Sequence, residues 1–146
     1  MQPAAREGTS AILFDTEGRL LLQLRDDLPH VTDPGKISLV GGRREGDETF
    51  LECVVRQIHE EIGYYLAPGR FQLIGRYFGP DHSTPNGTLH GELFLARNVP
   101  VDMLVVTDGR VQIVAADELE HIRELLAPPA TYALEILRKR DPLLEL

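Results

Sequence analysis

Between Gly41 and Tyr64 the chain reads GGRREGDETFLECVVRQIHEEIGY, a glycine pair running into a segment rich in acidic residues. Glu52, Arg56 and Glu60 recur every four residues, and Gln57 stands three and four positions ahead of the adjacent carboxylates Glu60 and Glu61. Residues three or four apart on a helix are neighbours, so these side chains share one face. Adjacent carboxylates repel each other unless positive charge lies between them. Magnesium or manganese, which favour oxygen donors, would supply that charge and bridge to the phosphates of a substrate. Arg56 cannot lose its proton and offers a planar fork, so its expected work is to hold Glu52 or Glu60 in a fixed geometry.

The element that must carry these groups is a helix, and its ends are legible. Thr49 and Glu52 have the spacing of a capping box. Asp47 and Glu48 favour the positive end of the helix dipole, and Gly63 stands where a left-handed cap would stop the helix. Phe50, Leu51, Val54, Val55, Ile58 and Ile62 recur at helical spacing, so one face is buried while the other displays charge. Gly41 and Gly42 permit backbone angles and close approaches that side chains forbid, which suits a loop facing a ligand.

The same stretch resembles the box of the Nudix family: G, five residues, E, seven residues, then R-E-U-x-E-E-x-G-U with U aliphatic. The matching positions are Gly42, Glu48, Arg56, Gln57, Ile58, Glu60, Glu61, Gly63 and Tyr64. Gln57 replaces the first glutamate of the R-E-U-x-E-E core, and Tyr64 fills the last aliphatic position. The resemblance implies an α/β/α sandwich with a mixed sheet. It also implies magnesium-dependent (or manganese-dependent) hydrolysis of a diphosphate bond in a nucleoside diphosphate linked to another moiety. Glu60, Glu61 and the Gly41 carbonyl would hold the metal, and Arg56 would orient the carboxylates. In many members the glutamate replaced by Gln57 binds metal or takes the proton of the attacking water, and an amide does neither well. Asp108, in the turn Thr107-Asp108-Gly109, would then serve as a further ligand or substitute base, ahead of Glu92 and His90. The rival reading is a catalytically impaired nucleotide-binding or regulatory module. An isoprenoid diphosphate isomerase of the same superfamily is disfavoured, because the single cysteine lies inside the box helix.

The rest of the chain bounds these readings. A length of 146 residues with 42% hydrophobic content is that of one soluble globular domain. A formal charge of −8 argues against a groove for DNA or RNA. One cysteine permits no internal disulfide, and the opening MQPAAREGTS has no apolar signal segment, so a cytoplasmic setting is expected. No apolar run reaches membrane-spanning length. A monomer and a homodimer both stay open.

In chain order, Thr9 to Phe14 and Leu20 to Arg25 read as a hairpin, and Lys36 to Val40 as a short strand leading to the glycines. Asp26 to Gly35 reads as a loop, with His30 a solvent-exposed side chain or a substrate contact. Phe71 to Phe78 and Leu89 to Arg97 read as strands. The long connection between them is either a lid or base wall, with Tyr77, Phe78, His82 and His90 available, or a plain surface excursion. Leu104 to Val106 and Val111 to Val114 read as further strands, and Ala116 to Leu126 and Thr131 to Arg140 as helices separated by Pro128 and Pro129. Cys53 is expected to be a small buried apolar residue and His59 a surface histidine. Strands around an internal helix, closed by further helices, point to an α/β sandwich independently of the resemblance.

Overall fold

A computed structural model describes residues 5–24, 35–81, 85–106, 110–115 and 118–140. The strands are β1 (Arg6–Asp15), β2 (Leu20–Leu24), β3 (Ile37–Ser38), β4 (Val40–Arg43), β5 (Gln72–Pro80), β6 (Thr88–Val99) and β7 (Arg110–Val114). The helices are α1 (Phe50–Ile62), α2 (Leu119–Ile122) and α3 (Pro128–Arg140). One mixed sheet runs in the order β3-β2-β1-β6-β5, with β4 also paired to β1 and β7 to β2. Among the described strands β1 and β6 form a parallel ladder, and the other ladders are antiparallel.

Alternation along β1 sends Ala11 and Leu13 to a core shared with Val54, Ile58 and Ile62 of α1, and Ile12 and Phe14 to a core shared with Ala133, Leu134 and Leu137 of α3. Both faces of the sheet are therefore covered, which makes the expected α/β/α sandwich. Val54 and Ile58 are fully buried, each contributing about 1.5–3 kcal/mol relative to an exposed side chain. No helix among the described residues is long and apolar enough to cross a membrane.

α1 starts and stops where its caps dictate. Thr49 Oγ1 accepts from the Glu52 N–H at 3.0 Å, and Glu52 returns the bond to the Thr49 N–H at 2.9 Å. Gly63 closes the helix in the left-handed region at φ 68°.

Four local readings are corrected. Gly41 and Gly42 belong to β4 rather than to a loop, because the strand expected over Lys36 to Val40 splits at Leu39 and the chain from Val40 onward pairs in register with β1. Leu104 to Val106 is no strand: the Val105 N–H donates to the Ile62 carbonyl at 2.7 Å and so satisfies the end of α1 instead of a sheet edge. The helix expected over Ala116 to Leu126 shrinks to α2 and a 3-10 turn at Arg123–Leu125. There Leu126 bridges Ile37, and the Ala127 N–H donates to the Ile37 carbonyl at 2.8 Å, so the backbone is drawn alongside β3. Finally, Pro128 and Pro129 open α3 rather than precede it, in the first turn where proline's missing N–H costs nothing.

Candidate functional site

Pairing of β4 with β1 places Gly42 opposite Thr9 and Gly41 opposite Ser10. A Cβ on Gly41 would run into the Thr9 carbonyl, and one on Gly42 into the Gln57 side chain. Close approach of two strands and a helix, and not an unusual φ, is thus why glycine stands at both positions. Beside them opens a cleft of about 360 Å³, lined by Gly41, Gly42, Arg43, Gln57, Glu61 and Glu92 among others. That volume is in the range of small-molecule sites, about 300–1,000 Å³.

Arg56 ties the acidic groups outside this cleft together. Its Nε and Nη2 donate to Glu48 at 3.0 and 2.7 Å, Nη2 also reaches the Arg43 carbonyl at 3.0 Å, and Nη1 reaches Glu60 at 3.2 Å. Such a fork links the end of β4, the segment before α1 and the last turn of α1. Glu52 takes no part, because its carboxylate is engaged in the capping box. The main partner, Glu48, sits eight residues before Arg56, ahead of α1. The sequence signal for it was the box spacing itself, in which an acidic residue at that position is required. The Arg56 hydrogen bond holds the Glu48 carboxyl well below its ordinary value, at about 2, against an opposing push from burial. The same bond raises the Arg56 guanidinium.

One consequence is measurable. A carboxylate whose folded pKa is depressed stabilises the fold above its unfolded value, and that contribution fades as pH falls from about 4.3 toward the folded value. The unfolding free energy should therefore decline between about pH 4.5 and 2. Arg56→Lys, which keeps the charge and loses the fork, is expected to weaken this acid dependence. Denaturant titrations at stepped pH would show it, and identical profiles for the two proteins would remove the Glu48–Arg56 pair from the account.

The adjacent carboxylates have different surroundings. Glu60, its side chain 57% exposed, turns to Arg56 and is absent from the cleft lining. Glu61 lines the cleft and accepts from Gln23 Nε2 of β2 at 3.2 Å. Gln57 is buried beneath Gly42, with its Nε2 at 3.5 Å from the Arg43 carbonyl, a long contact. An amide fits this position because it can donate to that carbonyl, whereas a carboxylate would set oxygen against oxygen. Arg43, exposed and lining the cleft, has no side-chain hydrogen bond or ion pair among the described residues. It was missed in the sequence, where it reads as one of two consecutive arginines.

Other candidates fall into place. Cys53 is fully buried against Thr9 Oγ1 at 3.2 Å, and burial raises its thiol, so it is a packing residue. His59 is exposed and meets Tyr65 edge-on at 5.6 Å. His90 sits between the rings of Phe50 and Phe78, at 5.5 and 6.2 Å, and does not line the cleft, whereas Tyr77 does. Glu92 lines it too and pairs with Arg76 at 3.4 Å. His30, His82 and Asp108 lie outside the described residues.

A family model for the NUDIX domain matches residues 4–143. The chain belongs to the Nudix family. Its class of chemistry is accordingly that of a Nudix pyrophosphohydrolase. The structure of the MutT protein from Methanosarcina mazei Go1 is similar with a TM-score of 0.79 at 20% identity, over 97% of this chain and 99% of that one. A MutT Nudix hydrolase from Burkholderia pseudomallei gives 0.70 at 24% identity, over 91% and 98%. A bifunctional NMN adenylyltransferase/ADP ribose pyrophosphatase from Francisella tularensis, complexed with AMP and a manganese ion, gives 0.75 at 16% identity, over 97% of this chain and 42% of that one. At these identities the likeness establishes the fold. No curated protein matches the chain in sequence.

Nudix enzymes generally use divalent metals, and the donor set here fits such an ion in kind. Among the described residues no three Asp, Glu, His or Cys groups converge on one point. Magnesium does not need such a cage, since it keeps several waters and binds through one or two carboxylates plus substrate phosphates. Glu61 in the cleft, Glu60 beside it in sequence and the backbone oxygens of Gly41 and Gly42 in β4 are oxygen donors of that type.

Proposed function

We propose that this Nudix domain, residues 1–146, hydrolyses a diphosphate bond in a nucleoside diphosphate linked to a second moiety, with magnesium or manganese as cofactor. The observation that carries the reading is that Glu61 and Arg43 line one cleft of small-molecule size. A carboxylate for a metal and an uncommitted cation for phosphate oxygens face the same space. Glu61, Glu60 and the Gly41 carbonyl would hold the ion, which when bound neutralises the diphosphate and makes its water more acidic. Arg43 binds the phosphate oxygens. Arg56 keeps Glu48 and Glu60 in position and so fixes the approach of α1 to β4. Gln57 donates its amide N–H and thereby orients, but it takes no proton. Proton removal from the attacking water falls to Asp108.

The buried amide at Gln57 favours a second reading, a module that binds a nucleotide derivative without turnover. A panel of nucleoside triphosphates, dinucleoside polyphosphates, nucleotide sugars and ADP-ribose, assayed with magnesium and with a chelator, separates the two. Metal-dependent release of a nucleoside monophosphate from at least one of them is expected. Binding of a panel member with no turnover at any metal concentration would leave the binding module.

A further inference from the structure

On the α3 side of the sheet the cleft has a floor without side chains. In the parallel pairing of β1 and β6, Arg6 stands opposite Leu89 and Gly8 opposite Gly91, while Tyr77 of β5 stands across from Gly91. Residues two apart on a strand share a face, and these five residues all line the cleft. The ring of Tyr77 packs edge-on against Tyr132 of α3 at 5.3 Å, which fixes that face as the α3 side. At the centre, Gly8 and Gly91 leave bare peptide planes. A Cβ on Gly91 would stand 3.3 Å from the Gly8 carbonyl oxygen and raise a bump there. Flat, uncharged backbone bounded by Leu89 and Tyr77 suits a planar ring.

Arg6 stands at the end of this floor. Its Nη2 donates to Asp81 Oδ1 at 2.8 Å, and the Asp81 side chain is 2% exposed. Its buried Nε has no hydrogen-bond partner among the described residues. A guanidinium N–H withheld from both water and protein acceptors is costly and calls for an explanation. Because Asp81 already offsets the charge, and because Glu7, Glu61 and Glu92 also line the cleft, a second anion is poorly suited to this spot. The Arg6 side chain lines the cleft and is 25% exposed, so a neutral carbonyl acceptor entering the cleft takes a charge-assisted bond from the guanidinium without adding negative charge. Arg6 and Glu61 line the same cleft, so one ligand can carry a base to this floor and a diphosphate to Glu61.

Resting on the proposed hydrolysis, we infer that Arg6 is a specificity residue, reading a ring carbonyl of a base that lies on the Gly8–Gly91 floor. The substrates would then be nucleoside diphosphate derivatives of oxo bases, guanine or uracil, in preference to adenine, whose exocyclic amine would set donor against donor.

The test compares GDP-glucose, UDP-glucose and ADP-glucose, which share one sugar, by kcat/KM with magnesium. Affinities for GMP, UMP and AMP, measured by calorimetry, read the same contact without turnover. Wild type is expected to favour an oxo base by about 10- to 100-fold, the worth of one hydrogen bond from a charged donor. Arg6→Lys keeps the ion pair with Asp81 but loses the planar fork that presents further N–H groups to the ring carbonyl. Arg6→Met combined with Asp81→Asn removes the pair without stranding a buried charge. Both are expected to lose the preference in turnover and in affinity while retaining a cooperative thermal transition. A wild type indifferent to the base, or a folded variant of either kind that keeps the preference, overturns the inference. Turnover with an unchanged base ratio would sink this inference alone, whereas neither turnover nor binding of any of these nucleotides would sink the hydrolase reading as well.

Discussion

Glu61→Gln is expected to lower hydrolysis by about 10²- to 10³-fold, the usual effect of losing one group that stabilises developing charge. It should also remove most of the thermal stabilisation that magnesium confers. A ligand that binds only the native state adds RT ln(1 + [L]/Kd), about 1.4 kcal/mol at ten times Kd. For a chain of this size that amounts to about 3–6 °C in Tm. Glu61 is chosen over its neighbour on geometry: it lines the cleft and is held by Gln23, whereas Glu60 turns outward to Arg56. Glu60→Gln should therefore cost less. Tm measured against magnesium concentration for wild type and both variants is the direct check. A wild-type midpoint unmoved by millimolar metal would leave Glu60 and Glu61 as an ordinary helix end and deprive the hydrolase reading of its cofactor.

What was legible in the sequence follows the range of the interactions involved. Thr49 and Glu52 of the capping box stand three residues apart and Gly63 directly follows Ile62, so each end of α1 could be bounded from the sequence. The continuous apolar run Ala11 to Phe14 of β1 is equally local, and the structure buries it on both faces of the sheet. The role of Gly41 and Gly42 was half legible. Glycine signals either freedom or closeness, and only the register of β4 against β1 shows that closeness is what these positions require.

Side-chain contacts across distant elements were the illegible part. Gln23 meets Glu61 across 38 positions, and Arg6 meets Asp81 across 75. Neither pairing has a spacing signal, because sheet order alone brings the partners together. Leu104 to Val106 misled for a related reason. Its apolar, β-branched residues read as a strand, but β7 already occupies the edge beside β2, and the segment serves the carbonyl end of α1. The divergence of Glu60 and Glu61 was also hidden, since sequence adjacency says nothing about which of the two faces the cleft.

The position that departs from the family box supplies the remaining test. Asp108→Asn is expected to lower turnover by about 10²- to 10⁴-fold, the usual worth of a general base. Gln57→Glu, in contrast, should change turnover little at saturating magnesium. Its effect should appear in the absence of metal. A glutamate there would bury a carboxylate beneath Gly42, facing the Arg43 carbonyl that the amide now approaches at 3.5 Å. A buried charge without a partner is destabilising, so this variant should melt below wild type in chelator and recover with magnesium. The amide would then be what lets the box helix pack against β4 with no cation present. Turnover of the best substrate and Tm, each with and without metal, decide the matter for wild type, Gln57→Glu and Asp108→Asn. If Gln57→Glu instead raised turnover by about 10²- to 10⁴-fold and Asp108→Asn were silent, the chain would have lost its base without replacing it. If none of the three turned over any nucleotide that they still bound, the site would be a receptor for nucleotide derivatives built from a hydrolase's parts.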